Sequence, residues 1–391
     1  MLSHRLLVVE ENLMGNGTRR SAALFAIIAC SLLSLGMNQC SSVITVRNGE
    51  SIQDAVDLAQ PGDTIVVRAG LYTASGGSAV VEVMKDDITL IGNRNAVIDA
   101  TGVPFGVRVG APVQGDCLAG VVKNFKIVGF TIQNAGFTGL QMVNVDGYTA
   151  TGGTYLDNEE YGPFPVCSTN GTISHNFASG HNDAAIYVGQ SDGAVVEFNT
   201  VVDSVIGIEL ENTSNVVVRN NQLRDNTAGM LVVVLPGLFF PFTENILITE
   251  NIVDDNNRAN TAGGGFLSLL PVGSGILNVG GDNVVIQKNV VQRNDSFGVA
   301  SIGNFFFLLD PRIEPFVDGL EVRDNVILQN GANRDPVSFT PGADIVFVHD
   351  VFDPTSGTFI VSDPDPSDNC FQDNVFNTDF PPGIVGLFPC P

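Results

Sequence analysis

A residue pattern that returns every 22 or 23 positions constrains this chain more than any other feature. Gly139, Gly162, Ala185, Gly207 and Gly229 are spaced by 23, 23, 22 and 22 residues, and each opens a short apolar or alternating run: GLQMV, GPFPV, AAIYV, GIELE, GMLVV. Earlier in each repeat a second small or polar residue recurs, and from the third repeat onward it is asparagine. The series is Asn176, Asn199 and Asn221, then Asn251, Asn289, Asn325 and Asn374 as loops lengthen the period. A fixed period of this length, made of short strands without helix, describes a stacked solenoid in which each repeat is one turn of backbone. Every recurrent position then becomes a column whose members lie about 4.8 Å apart.

The residue types fit such columns. Asparagine at an inward-turning corner tolerates left-handed backbone, and its amide can bond the amides above and below as a ladder. Glycine or alanine opens the following strand, where a larger Cβ would crowd the neighbouring coil. Inward positions stack like on like, Ile186 over Ile208 over Met230 and Val188 over Leu210 over Val232. Gln141, Phe164, Tyr187, Glu209 and Leu231 are their outward partners. Period-two alternation predicts one core face and one wet face, with Glu209 and Glu211 solvated. The expected fold is all-β, a single right-handed parallel β-helix.

For 391 residues two or more domains would be usual, but a solenoid core grows lengthwise, so residues 41–391 read as one domain. The net charge of −24, with only 18 Lys plus Arg, argues against nucleic acid or an anionic membrane as partner. It also disfavours a polyanionic sugar bound without a bridging cation. Residues 1–40 read as a targeting segment: Arg19 and Arg20 precede SAALFAIIACSLLSLG, which has the length of a signal h-region. Export is expected, to the periplasm, the outside or an outer-membrane lipid anchor. Cys30 follows the better lipoprotein box and Cys40 the better spacing. If Cys40 carries the lipid, Cys117, Cys167, Cys370 and Cys390 remain as an even set for an oxidising compartment. Pairs Cys117–Cys167 and Cys370–Cys390 are expected, the first requiring the 103–119 insertion to fold back.

Val43–Val46 reads as the first strand. GESIQDAVDLAQPGD then holds a short helix that caps the open end of the solenoid, with Ser51 and Asp54 as a capping box. Insertions interrupt the period at 103–119, 235–243, 258–275 and 303–318, and two of them carry apolar clusters, LPGLFFPF and NFFFLLDP. VRNGESIQDAVDLAQPGDTIVVRAGLY resembles the opening of many exported pectin-lyase-like β-helix proteins. HNDAAIYVGQS, IGIELENTSNVVVRNN and NTAGMLVVVLPGL are similar to one bacterial family, the parallel β-helix repeat-containing proteins, over residues 43–340. That resemblance implies a signal-bearing exported protein or lipoprotein and a cytochrome-c-like partner, but no catalytic residue. No pattern matches the calcium-dependent pectate lyases, the alginate lyases or the Asp-Pro-His-Glu motif of mannuronan epimerases.

Candidate site residues therefore come from the columns. Carrying the period back from the glycine position stacks Asn158, His181, Asp203 and Asp225, beside Glu159, Asn182, Ser204 and Asn226, and then Glu160 and Asp183. Glu160, His181, Asp183 and Asp203 form a candidate acid–base group, and Glu160, Asp183 and Asp203 a candidate calcium site. Tyr161, Tyr187, Gln190 and Glu209 are candidate substrate contacts along an outward groove. Asp203, Asp225, Asn182 and Asn226 serve equally well as turn formers, and His175 as a corner residue. Three functions are consistent with this pattern: carbohydrate chemistry as a lyase, epimerase or hydrolase; non-catalytic binding of a polysaccharide or cell surface; and a scaffold for a cytochrome-c-like redox protein.

Overall fold

Each repeat turns its backbone three times, and each turn is made by one left-handed residue. In the repeat around position 200 these are Phe198, Asp203 and Asn212, with φ of 55°, 54° and 47°. Non-glycine residues adopt this conformation at a cost, so something must hold each corner in place. The structure is a computed structural model that describes residues 41–93, 95–110, 117, 122–338, 340–353 and 358–391. The targeting segment, with Cys30 and Cys40, lies outside the described residues.

Successive strands of one coil join three different parallel sheets, and successive coils stack in register. Among the described residues the first sheet has 12 strands, the second 10 and the third 11. One coil passes through Asp192–Glu197 in the first sheet, Thr200–Val202 in the second and Ile206–Glu211 in the third. The expected columns hold: Ile186 pairs with Ile208 and Ile208 with Met230, while Val188, Leu210 and Val232 stack beside them. All six are at most 1% exposed. Burying each such side chain contributes about 1.5–3 kcal/mol.

The asparagine ladder runs through the corner between the first and second sheets. Nδ2 of Asn176, Asn199, Asn221, Asn251, Asn289 and Asn325 each donates to Oδ1 of the next asparagine, ending at Asn374, over 2.9–3.0 Å. The same oxygens accept the backbone N–H of the asparagine before them. The helix Ile52–Leu58 caps the N-terminal end as expected. Ser51 accepts the Asp54 N–H, and Ile52, Ala55 and Val56 are buried.

One expectation fails. The outer face of the third sheet is not wet along its length: Tyr187 and Glu209 are 4% and 3% exposed and Leu231 is fully buried. The apolar insertions explain this. Leu235, Ala262, Phe266, Leu267, Phe305 and Phe307 pack over that face and form a second apolar core outside the solenoid. Toward the C-terminal coils they roof an apolar cavity of about 270 Å³ against Leu277, Phe297 and Val346.

Candidate functional site

The 22- and 23-residue coils differ by one residue, and where that residue is lost decides what stacks on what. Thr154, Phe177 and Thr200 pair at intervals of 23, whereas Ala184 pairs with Ile206 at 22. The loss falls after the corner, so His181 stacks between Asn158 and Ser204 rather than beside Asp203. Asn158 Nδ2 lies 3.4 Å from His181 Nε2, and Ser204 Oγ lies 3.4 Å from His181 Nδ1. The Asn158 amide can only donate, and Ser204 Oγ gives its own proton to the Val202 carbonyl. The imidazole is therefore neutral, with its proton on Nδ1. Burial holds its pKa down at about 3.

His181 belongs to a second ladder that continues through Asn226, Asn256, Asn294 and Asn330 to Asp344. It points into the solenoid and is not part of an acid–base group. Asp203 is also elsewhere. It is a left-handed corner residue whose carboxylate is exposed and accepts from Arg258 Nε at 2.7 Å. The expected calcium ligands Glu160, Asp183 and Asp203 do not converge. Among the described residues no three His, Cys, Asp or Glu side chains are grouped to hold a metal ion.

The structure instead gathers Asp183 with residues of three adjacent strands of the third sheet. These are Tyr161–Val166, Ala184–Gly189 and Ile206–Glu211, whose outward side chains include Tyr161, Phe164, Tyr187, Glu209 and Glu211. Tyr161 Oη donates to Asp183 Oδ2 at 2.6 Å, and Tyr187 Oη donates to Glu211 Oε1 at 2.8 Å. Tyr187 lies flat across its own strand to reach Glu211, and it can do so because residue 189 is glycine. A Cβ there would collide with the phenol. The Asp183 Oδ1 atom is buried without a partner.

The electrostatics follow from burial without compensating cations. The Asp183 carboxyl is pushed up to about 6, mainly by burial and further by the neighbouring Glu160 charge, against the pull of the Tyr161 hydrogen bond. Glu211 is raised to about 7 by burial and by Asp183, with Tyr187 opposing. Glu209 is raised well above the carboxylate range by burial, then by Asp183 and Glu211. Glu160, half-exposed at the edge, is raised by burial and by Glu159. Three neighbouring carboxyl groups of this kind cannot all ionise, so the cluster both holds and accepts protons near neutral pH.

A groove leads to this cluster. Its walls are two insertions anchored at opposite ends of the same strands. Phe239 N donates to Gln190 Oε1 at 3.1 Å, and Thr261 Oγ1 donates to Asn182 Oδ1 at 3.0 Å. Gln190 thus anchors a wall rather than offering a free amide. Beyond Glu209 the groove is closed at Leu231. On the other side its floor is aromatic: Phe137, Tyr161, Phe164 and Tyr187 are in mutual contact, with ring centroids 4.2–6.2 Å apart. Tyr161 and Phe164 are half-buried.

Sequence reasoning placed Asp183, Glu160, Tyr161, Tyr187 and Glu209 near one another and passed over Glu211 as a solvated residue. Both expected disulfides are present, Cys117–Cys167 and Cys370–Cys390, with Cα separations of 4.9 and 4.7 Å.

Known proteins add the fold. Residues 119–269 match the family described as a right handed beta helix region. No curated protein matches the chain in sequence. Among solved structures, the chain is similar to the Azotobacter vinelandii mannuronan C-5 epimerase AlgE4 A-module, at 16% identity and a TM-score of 0.56, over 83% of this chain and 88% of that one. It is similar to the alginate lyase of Paenibacillus sp. str. FPU-7, at 16% identity and 0.52, over 73% and 94%. It is also similar to the DFA-IIIase of Arthrobacter chlorophenolicus A6, at 13% identity and 0.52, over 84% and 88%. Identities this low carry the architecture alone: the chain is a right-handed parallel β-helix of the pectin-lyase-like kind.

Proposed function

We propose that this chain is an exported polysaccharide-interacting protein that binds the end of a sugar chain in the groove on the outer face of its third sheet. The observation that carries the reading is the groove itself, with an aromatic floor of Phe137, Tyr161, Phe164 and Tyr187 that runs into the Asp183–Glu209–Glu211 carboxyl cluster and stops at Leu231. Aromatic faces cover the apolar face of a sugar ring, and paired carboxyl and phenol groups bond its hydroxyls. A blind end favours a chain terminus over an internal segment.

The same cluster has the raw material of acid–base chemistry. A carboxyl group poised near 6–7 can give or take a proton at a sugar carbon or oxygen. The solved structures of similar fold include a mannuronan C-5 epimerase and an alginate lyase, which supports a saccharide ligand by fold analogy alone. Two disulfides support an oxidising, extracytoplasmic address. A redox-protein partner and a lipid anchor rest on the family resemblance and the leader reading, and the groove adds nothing to either.

Affinity electrophoresis of residues 41–391 through gels carrying individual soluble polysaccharides tests the reading. At least one glycan should retard the wild type, and Phe164→Ala should abolish that retardation with its melting temperature preserved. Equal retardation of both forms by every binding glycan would place the ligand elsewhere.

A further inference from the structure

The carboxyl cluster lacks a partner that its geometry calls for. Tyr161 occupies only Oδ2 of Asp183. Oδ1 is buried and unbonded, and the side chain as a whole is 8% exposed. Glu209 is 3% exposed, and among the described residues its carboxyl accepts no hydrogen bond. No lysine or arginine forms an ion pair with Asp183, Glu209 or Glu211 among the described residues. Four aromatic rings adjoin them. Metal ligation does not fit, for want of three convergent ligands.

Buried acceptors without donors, aromatic faces beside them and a net charge of −24 around them suit a compact cation that brings its own N–H donors. We infer that the blind end of the groove receives an ammonium group, so that the sugar chain bound there ends in an amine-bearing residue, a free aminosugar rather than its N-acetylated or uronic counterpart. A sugar ammonium has three donors. It can satisfy Asp183 Oδ1 and the Glu209 carboxyl together, while the ring rests on Tyr161 and Phe164. A uronate would bring a fourth carboxylate into the same space, and an N-acetyl group would leave at least one acceptor unmet.

This inference rests on the saccharide reading of the groove, and the test separates the two. Calorimetric titration of residues 41–391 with the glucosamine tetramer and with the N-acetylglucosamine tetramer, at neutral pH and moderate salt, should give at least about tenfold tighter binding of the amine form. Glu209→Gln and Asp183→Asn should each erase that preference. Both relieve repulsion, so their melting temperatures should not fall. Asp318→Asn, a change to an acidic residue of the first-sheet side, should keep the preference, which excludes bulk attraction to an acidic protein.

Equal or tighter binding of the acetylated tetramer overturns the ammonium inference and leaves the saccharide reading standing. So does a preference that survives both cluster variants. A simple diamine binding as tightly as the glucosamine tetramer overturns the sugar-borne part. Absence of binding by both tetramers overturns the inference, and only failure of every polysaccharide in the gel panel takes the saccharide reading with it.

Discussion

Replacing Asn199 by leucine tests whether the ladder holds the corners, and the structure sets the size of the effect. The Asn199 side chain accepts from Asn176 N and Asn176 Nδ2, and donates to the Ile173 carbonyl and Asn221 Oδ1, all at 3.0 Å. Two of the four partners keep another bond. Asn176 Nδ2 still donates to the Ala150 carbonyl, and Asn221 Oδ1 still accepts the backbone N–H of residue 199. The Asn176 N–H is left bare in a buried corner, which costs about 1–3 kcal/mol. Leucine brings no donor and must be accommodated between two stacked amides, for about 1–3 kcal/mol more. A net loss of about 2–4 kcal/mol is expected. Urea unfolding followed by circular dichroism reads it as a lowered midpoint. Gln222→Leu, on the exposed face of the second sheet in the following coil, should change stability by no more than about 0.5 kcal/mol. If the two variants unfold at the same urea concentration, the asparagines do not carry the corner.

Other outcomes follow from the same contacts. Asp183→Asn should stabilise the protein at pH 7. A carboxyl whose folded pKa is raised to about 6 from 3.8 loses its contribution as pH rises through that window, and removing it gains about 1–3 kcal/mol; melting temperature against pH should converge with the wild type near pH 4. His181→Asn should fold, since asparagine fills most of that column. It should also weaken the acid-side decline of stability, because a histidine held neutral down to about 3 costs stability as pH falls below 6.5. Gly189→Ala should push Tyr187 off Glu211 and cost glycan binding more than stability, read by the gel assay beside a thermal melt. Intact mass before and after reduction should differ by about four hydrogens for two disulfides.

The ladder, the inward columns and the cap were legible because each depends on a residue type repeated at a fixed interval. The second ladder was equally present in the sequence: Asn226, Asn256, Asn294 and Asn330 each follow a first-ladder asparagine by five residues, as His181 follows Asn176. Reading that spacing would have put His181 inside the solenoid. The error over Asp203 has the same source, since a one-residue deletion can fall on either side of a corner and only the pairing of Ala184 with Ile206 fixes it. Glu209 and Glu211 were misread for a different reason. Their alternation with Ile208 and Leu210 shows correctly that they face outward, but not that residues 235–243 and 258–270 fold back over that face. Burial there is a long-range fact, and the apolar content of the insertions was its one local trace.

Hydroxyl-radical footprinting, with and without the glycan that retards the wild type, tests the location of the site most directly. The account predicts that bound glycan protects Tyr161 and Phe164 from oxidation and leaves Phe177 and Phe198, exposed on the opposite flank, as reactive as before. Protection at Phe177 and Phe198 with none at Tyr161 and Phe164 would contradict it.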